Sequence, residues 1–514
     1  MEQILLYGPP GSGKSTIGKM LSDRLGLPWI DLDHSLESRW GLSIPQLMAG
    51  GGEEGFRDLE TSMLKELVRS GPAVISLGGG SLLRVENRSL AEEHGIVIYL
   101  AVELQTLVGR LQADSHARPL LEGDLEEKLT SLLAARAAHY RSFRLQVRAD
   151  QTPDQVTWQI QMALGRFHLS AMGEYDLIVQ SHALDRLGSM LRQSGVQQPL
   201  LVTDEHVAKL CSQEVLDSLR HSNYEPQMLT IPPGESSKSL KNVESLWNGF
   251  LEAGLDRTST VIALGGGVVT DMTGFAAATF MRGLDWVCIP TTLLCMVDAS
   301  MGGKTGFDLP QGKNLVGAFH APQLVLADPE LLRTLPDPEF RAGLAEVVKH
   351  GIIADPILFD LCRRGLESVK ALLAEVICRA VAVKVQIIEQ DPYEHGQRAS
   401  LNLGHTVGHA IEIVSQFCVG HGEAVAMGMV AEAKLAERLS IARHGLSAQI
   451  AEALSSLGLP VEIPKELSQP ELIGCMRLDK KKAGGIARFA LPVEIGRVQV
   501  NVELKDLRLV FEES

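Results

Sequence analysis

Short apolar runs alternate with longer mixed segments through most of this chain, and the runs read as buried strands. Ile4-Leu5-Leu6-Tyr7 and Val74 to Leu77 read as buried strands of a first sheet, with Asp31 and Asp33 alternating at the end of a second short strand between them. A helix carrying Arg136 and Tyr140 follows, and a closing helix is expected to run to Phe167. Leu200 to Thr203, Val261 to Leu264 and Trp286 to Ile289 repeat the strand pattern between helical stretches, as in a sheet that binds a nucleotide. After about Pro338 the periodicity changes to long amphipathic segments, which predicts a helical half. The expected organisation is a first domain over 1–167, a short polar link over 168–173, and a second domain over 174–514 that divides at 337/338.

Composition narrows the class. A length of 514 residues argues for at least two domains, and 45% apolar residues with 5% aromatics indicate a globular protein with large cores. The net charge of -15 argues against a general nucleic-acid binder. The seven cysteines are scattered, all beyond residue 210, and show no paired metal spacing, so they read as reduced and mostly buried thiols. The chain passes directly into a strand, with no basic leader and no apolar run long enough to span a bilayer, so the expectation is a cytoplasmic protein without membrane or nucleic-acid partners.

Candidate chemistry begins at Gly8-Pro9-Pro10-Gly11-Ser12-Gly13-Lys14-Ser15-Thr16, a complete phosphate-binding loop between a strand and a helix. Gly11, Ser12 and Gly13 let amides curl around an anion, Lys14 adds a mobile charge, and Ser15 and Thr16 open the helix, with Ser15 suited to Mg2+. An ATP or GTP site follows. Arg57 with an acid one turn away, Gly78-Gly79-Gly80 after an apolar strand, Arg118 in a polar lid-like stretch and Arg136 suit a small anionic polyol. Singly, each arginine reads as a surface ion-pair former. In this order the Asp-x-Asp pair, Phe-Arg-x-x-Glu, triple glycine, Arg-Pro-Leu-Leu and Arg-x-x-x-Tyr resemble shikimate kinase over essentially the whole first domain. The resemblance implies ATP and Mg2+, with Asp31 assisting the metal and Asp33, Arg57, Gly79, Gly80 and Arg136 holding shikimate. It also makes Asp33 the base or orienter of the attacking hydroxyl and Arg118 the lid residue at the transferring phosphoryl group.

The second domain is organised around Asn402 to Glu423. His405 and His409 lie one helical turn apart, His421 follows, and Glu346 is a carboxylate able to complete a metal site; spacing alone does not choose among the three histidines. Paired histidines that merely pack and hydrogen-bond are the plain alternative. Lys304, Lys313, Lys349, Lys384, Arg282, Arg398, Lys480 and Lys481 form a large basic set for so acidic a chain, suited to a substrate with phosphate and carboxylate. Gly265-Gly266-Gly267 after a strand is not the usual dinucleotide fingerprint.

From about Asp204 to Pro492 the order of these motifs resembles 3-dehydroquinate synthase. The resemblance implies Zn2+ (or Co2+) on Glu346, His405 and His421, with His409 a substrate-site residue. It implies NAD+ at Asp204, Glu235, Lys238, Gly266, Gly267, Asp271, Thr291, Thr292 and Lys313. Lys304, Lys349, Lys384, Glu394, Arg398, Asn402 and His409 become the catalytic set, and Asp298, Asn314 and Lys481 substrate contacts. Arg282 reaches a partner's site, which implies a homodimer. The implied reaction oxidises a ring carbinol of 3-deoxy-D-arabino-heptulosonate 7-phosphate with NAD+, eliminates phosphate, returns the hydride and closes the carbocycle by an aldol step. His206, Thr270, Ala299 and Asp308 depart from the family pattern and predict altered NAD+ affinity before lost chemistry.

The fold class expected is therefore α/β: a P-loop kinase domain with a parallel sheet, then a synthase with a nucleotide-binding α/β half and a mainly helical metal-binding half. The function expected is a bifunctional shikimate-pathway enzyme acting on shikimate and the heptulosonate phosphate. The alternatives are a cyclase for sedoheptulose 7-phosphate, a metal-dependent polyol dehydrogenase, or a domain turned nucleotide sensor or scaffold.

Overall fold

The computed structural model describes residues 3–113, 124–393, 396–482 and 487–512, the last five residues before the 483–486 gap by backbone only. The chain divides into two compact units, Met1–His168 and Leu169–Ser514.

In the first unit, β1 (Gln3–Tyr7), β2 (Trp29–Asp31), β3 (Val74–Ser76), β4 (Gly95–Ala101) and β5 (Leu145–Arg148) form a parallel sheet in the order β2-β3-β1-β4-β5. β1 is an unbroken apolar run because both of its faces are covered. Ile4 and Leu6 pack with Ile17, Leu21, Val156 and Ile160, whereas Leu5 and Tyr7 enter a second core with Leu36, Phe56 and Leu64. Two local expectations change. Asp31 ends β2 and its Oδ1 accepts the amides of Asp33 and His34, so the chain turns at once into the helix Leu32–Trp40. Asp33 thus sits in a first helical turn and does not alternate along a strand. The closing helix Pro153–Leu164 stops before Phe167 because Gly165 takes a left-handed C-cap at φ 60°. The chain then enters β6 (Arg166–Leu169), within which the two units part, so the expected link at 168–173 begins as strand.

The second unit has β7 (Tyr175–Val179), β8 (Pro199–Asp204), β9 (Gln227–Ile231), β10 (Thr260–Gly265), β11 (Asp285–Pro290), the antiparallel hairpin β12 (Lys304–Leu309) and β13 (Gly312–Phe319), and β14 (Leu324–Ala327). The main sheet runs β7-β14-β11-β10-β8-β9 with these pairings parallel. Its connections turn outward after β8 and back through β10 to β11, so the switch point lies between the carboxyl ends of β8 and β10, where such sheets hold a nucleotide. Helices Asp337–Ile353, Leu373–Gln390, His405–Val414 and His421–Arg438 build the following half, and an antiparallel hairpin, β15 (Ala487–Glu494) and β16 (Arg497–Leu504), adds to what periodicity predicted. No helix among the described residues is long and apolar enough to cross a membrane.

The last two of those helices meet backbone to backbone. A Cβ at Gly428 would stand 2.0 Å from the Gly404 carbonyl oxygen, and one at Gly408 3.2 Å from the Ala424 backbone. Gly428→Ala is expected to destabilise the second unit by about 1–3 kcal/mol and to impair its turnover, with phosphoryl transfer by the first unit unchanged. Urea unfolding followed beside both activities checks this.

Candidate functional site

In the first unit the site gathers at the carboxyl ends of β1, β2 and β3. Gly11 and Gly13 take φ of 79° and 89°, and Gly13 starts the helix Lys14–Leu25 without a side-chain cap. Its first amides are thereby left for an anion, which is the fit a nucleotide phosphate needs. Lys14 folds back on the loop, donating to the carbonyls of Gly8 at 2.9 Å and Pro9 at 3.0 Å. The Ser15 hydroxyl donates to Asp31 Oδ2 at 2.6 Å, so the two oxygens expected around Mg2+ already adjoin. Across the same cleft, of about 930 Å³, stand Asp33, Arg57, Gly79, Gly80 and Arg136.

Arg57 is buried and held by Glu60, which also accepts from Ser81 Oγ at 2.6 Å. Arg136 Nη1 donates to the Gly79 carbonyl at 2.8 Å. A Cβ at Gly80 would lie 2.4 Å from Arg57 Nη2, so glycine is what lets the guanidinium reach the cleft. Burial, with Asp31 and Glu60 adding like charge, pushes the Asp33 carboxyl up to about 6 against the pull of Lys14. Glu60 was given no role by sequence, although its place in Phe-Arg-x-x-Glu was the available signal. Arg118 lies outside the described residues.

In the second unit the nucleotide candidates collect at the switch point. Gly266 starts the helix Gly267–Thr279 with no side-chain cap, leaving amides for a pyrophosphate, and the Thr291 amide donates to the Gly265 carbonyl at 3.0 Å. Asp204 at the end of β8 accepts the amides of His206 and Val207 with Oδ1, so part of this carboxylate is committed to its own helix. Lys238 is buried and donates to both Asp271 and Asn314, each at 2.5 Å, joining a cofactor candidate to a substrate candidate. Burial raises the Asp271 carboxyl to about 6 despite Lys238. Thr292 receives the Cys295 amide at the start of a π-helical turn, Cys295–Ala299, that presents Asp298. Glu235 and Lys313 are partly exposed and 3.9 Å apart.

Asp271, Asp298, Lys304, Asn314, Lys349, Lys384, Arg398, Asn402 and His405 line one cleft of about 520 Å³. Lys384 Nζ donates to Asp298 Oδ1 at 2.6 Å and to its carbonyl at 2.7 Å; burial lowers this ammonium's affinity for its proton while Asp298 opposes. Arg398 is buried and donates to the Pro392 carbonyl and to Met172 Sδ. His409 is exposed, its ring 5.3 Å from that of His405. Arg282 does not line this cleft; it follows Met281 in a turn where both are exposed with left-handed φ of 72° and 48°. Glu394 and the Lys481 side chain lie outside the described residues.

At His405 the cleft adjoins a cluster, Glu346, His405 and His421, that could hold a metal ion. Glu346, 1% exposed, places Oε1 3.7 Å from Nε2 of both His405 and His421, too far for hydrogen bonds but near the roughly 3.3–3.6 Å separation of atoms sharing a tetrahedral Zn2+. Lys349 pairs with the other oxygen, Oε2. His405 Nδ1 lies 3.2 Å from the Leu403 carbonyl and His421 Nδ1 3.4 Å from Glu412, which aims both Nε2 atoms inward. The His405 ring is lowered to about 3 by burial and the Lys349 charge, so its Nε2 is bare. Burial also opposes charge on His421, yet Glu346 and Glu412 outweigh it and hold that ring up at about 10. The residues fit a divalent ion, and of the three histidines it is His405 and His421 whose Nε2 atoms lie 3.7 Å from Glu346.

A second grouping, Asp298, Glu346 and His350, also has its ligand atoms within 4.8 Å, but there Lys384 pairs with Asp298 as Lys349 does with Glu346, so both carboxylates carry an ammonium partner. His350, fully buried with neither ring nitrogen hydrogen-bonded, and Glu412 were not singled out by sequence; Glu412 shares the His405 helix face at i+7, which was the signal for it.

Comparison with known proteins identifies the families that the two units resemble. A family model described as shikimate kinase matches residues 10–164, and models described as the N- and C-terminal parts of 3-dehydroquinate synthase match 228–342 and 343–482. A 3-dehydroquinate synthase of Rippkaea orientalis is 44% identical over 335 residues, covering 64% of this chain and 92% of that protein. One from Symbiobacterium thermophilum is 44% identical over 337 residues, 64% of this chain and 94% of that protein. Among solved structures, a 2-epi-5-epi-valiolone synthase from Streptomyces hygroscopicus subsp. jinggangensis, with NAD+ and Zn2+ bound, is 29% identical with a TM-score of 0.60, covering 66% of this chain and 94% of that one. A 2-deoxy-scyllo-inosose synthase complexed with carbaglucose-6-phosphate, NAD+ and Co2+ shares the fold at 24% identity and TM-score 0.61, covering 67% of this chain and 98% of that one.

Because His421 holds its proton up to about 10 when no metal is bound, a divalent ion must displace it. Zn2+ affinity is expected to rise about tenfold per pH unit through neutrality, with one proton released on binding. Calorimetry in two buffers of different ionisation enthalpy measures the release, and His421→Ala should lose both the proton and the metal.

Proposed function

The chain belongs to the 3-dehydroquinate synthase family and carries a shikimate kinase domain ahead of the synthase, and from that premise we propose which residues perform each reaction. The protein phosphorylates shikimate with ATP, using Mg2+, and converts 3-deoxy-D-arabino-heptulosonate 7-phosphate into 3-dehydroquinate and phosphate with NAD+ and a divalent metal.

For the kinase, the supporting observation is the Ser15–Asp31 contact opposite Asp33, Arg57 and Arg136. Ser15 and Asp31 hold Mg2+, and the loop amides with Lys14 hold the phosphates. Arg57 and Arg136 take the shikimate carboxylate and hydroxyls, their guanidiniums kept in place by Glu60 and the Gly79 carbonyl. Asp33 accepts the acceptor hydroxyl's proton, and its raised affinity brings it closer to the value a base needs near neutrality. Arg118 closes over the transferring group.

For the synthase, the observation that carries the assignment is the Glu346, His405 and His421 triangle at one end of a lysine-lined cleft. NAD+ supplies a hydride acceptor that is regenerated, and Zn2+ or Co2+ on the triangle supplies a Lewis acid for the carbinol. Gly266, Gly267, Thr291, Thr292 and Asp271, with Asp204, Glu235, Lys238 and Lys313, hold the dinucleotide. Lys304, Lys384, Arg398 and Asn314 neutralise phosphate and carboxylate. Lys349, Glu394, Asn402, His409, Asp298 and Lys481 orient the ring and move protons. The exposed turn at Met281 and Arg282 supports a homodimer in which Arg282 completes the other subunit's site, and the free, largely buried cysteines support a cytoplasmic enzyme.

Synthase relatives at 41–44% identity favour the heptulosonate phosphate over the sedoheptulose 7-phosphate alternative. Purified protein with the heptulosonate phosphate, NAD+ and metal should release phosphate and 3-dehydroquinate in equal amounts with no net NADH; NADH accumulation would mark the dehydrogenase instead. Lys14→Ala should abolish phosphoryl transfer and leave cyclisation intact. Since the Asp33 carboxyl is raised and protonated below about 6, kinase kcat/KM should fall about tenfold per pH unit below that value, and Asp33→Asn should remove both the activity and the limb.

A further inference from the structure

We propose that Glu432 is a positioning residue for the metal site, locking the helix that begins with His405 to the helix that begins with His421. The proposal rests on the reading of those two histidines as ligands. Glu432 lies in the His421–Arg438 helix and is fully buried. Its Oε2 accepts the Gly404 amide at 2.5 Å and its Oε1 the Val407 amide at 3.4 Å, with the Thr406 amide also directed at the carboxylate. Among the described residues no lysine, arginine or histidine pairs with it.

This carboxylate takes the place of a missing cap. Gly404 starts the His405–Val414 helix at φ 80° and has no side chain to satisfy the first amides. Glycine is required there, because a Cβ would lie 2.7 Å from both Met429 Cγ and the Val425 carbonyl oxygen. The close approach of the helices therefore forbids a self-cap, and the neighbouring helix supplies one by turning both carboxyl oxygens of Glu432 toward those amides, which oppose the burial that pushes this group up to about 8.

An apolar side chain would close the helix pair at lower desolvation cost, so packing alone does not explain a buried carboxylate. What the carboxylate adds is direction. Several amides aimed at two oxygens set the rotation of the His405 helix, in which a one-residue slip would swing the ligand by roughly 100°. His405 directly follows the clasped amide of Gly404, so its Nε2 and that of His421 are held at the same 3.7 Å from Glu346 Oε1.

The test uses full-length protein with Glu432→Gln, Glu432→Asp and His421→Ala. Gln turns one acceptor into a donor facing amide donors, and Asp shortens the reach. Zn2+ affinity is read by competition with a chromophoric chelator, and ligand geometry by the visible absorption of Co2+-loaded protein. The expected result for Glu432→Gln is about 10–100-fold weaker Zn2+ binding and an altered Co2+ spectrum, with kcat of the synthase lowered more than its KM changes. Kinase turnover and NAD+ binding should stay as in the parent protein. Unchanged metal affinity and an unchanged Co2+ spectrum would overturn the proposal, even with a lower melting temperature. Should Glu432→Gln lose NAD+ binding through misfolding, Glu432→Asp is judged by the same two readouts. If His421→Ala retains the metal, the ligand assignment itself fails; if it loses the metal while both Glu432 variants behave as the parent, only the positioning role fails.

Discussion

The synthase unit depends on keeping the carboxylate of Glu346 charged at 1% exposure. A buried anion is tolerated only when compensated, and the compensation here is divided between its two oxygens: Lys349 takes one, and two imidazoles face the other. That division separates the work of the site. The lysine keeps the carboxylate ionised, while Oε1, His405 and His421 remain available to a metal. Three different helices supply these three side chains, so the packing of those helices sets the geometry of the cluster.

The packing is unusually close because glycine backbones, not side chains, make the contact between the His405 and His421 helices. Closeness removes room for ordinary caps and leaves amides that must be satisfied from outside the helix. The same physics appears where phosphates belong. The helices starting at Lys14 and Gly267 follow glycines without side-chain caps, and the first of them opens on a cleft. In one place a protein carboxyl group fills the helix end, and in the other two no side chain does. An acidic chain can thus offer anions local helix termini and a few enclosed basic groups, whatever its net charge.

Much of both sites was legible in the residue order. The phosphate loop is a contiguous motif whose function depends on local backbone freedom, so it survives reading in one dimension, and the ordered motifs of the synthase did the same over a longer span. Local competition was harder to read. Asp31 and Asp33 have a strand-like spacing, but the Asp31 carboxylate captures two following amides and bends the chain into a helix. Gly165 similarly ended a helix that composition alone extended to Phe167.

The sequence by itself indicated two domains, their α/β character, the phosphate loop, a large basic set and three candidate histidines with one candidate carboxylate. Helical spacing could make His409 as good a ligand as His421, because periodicity reports which residues share a face and not where a second helix crosses it. Only the tertiary structure decided that His405 and His421 meet Glu346 equally, that Glu60 and Glu412 steady their neighbours, and that Glu432 closes a helix end. Each of those depends on distances between segments far apart in the chain, and such distances exist only once the helices and sheets have packed.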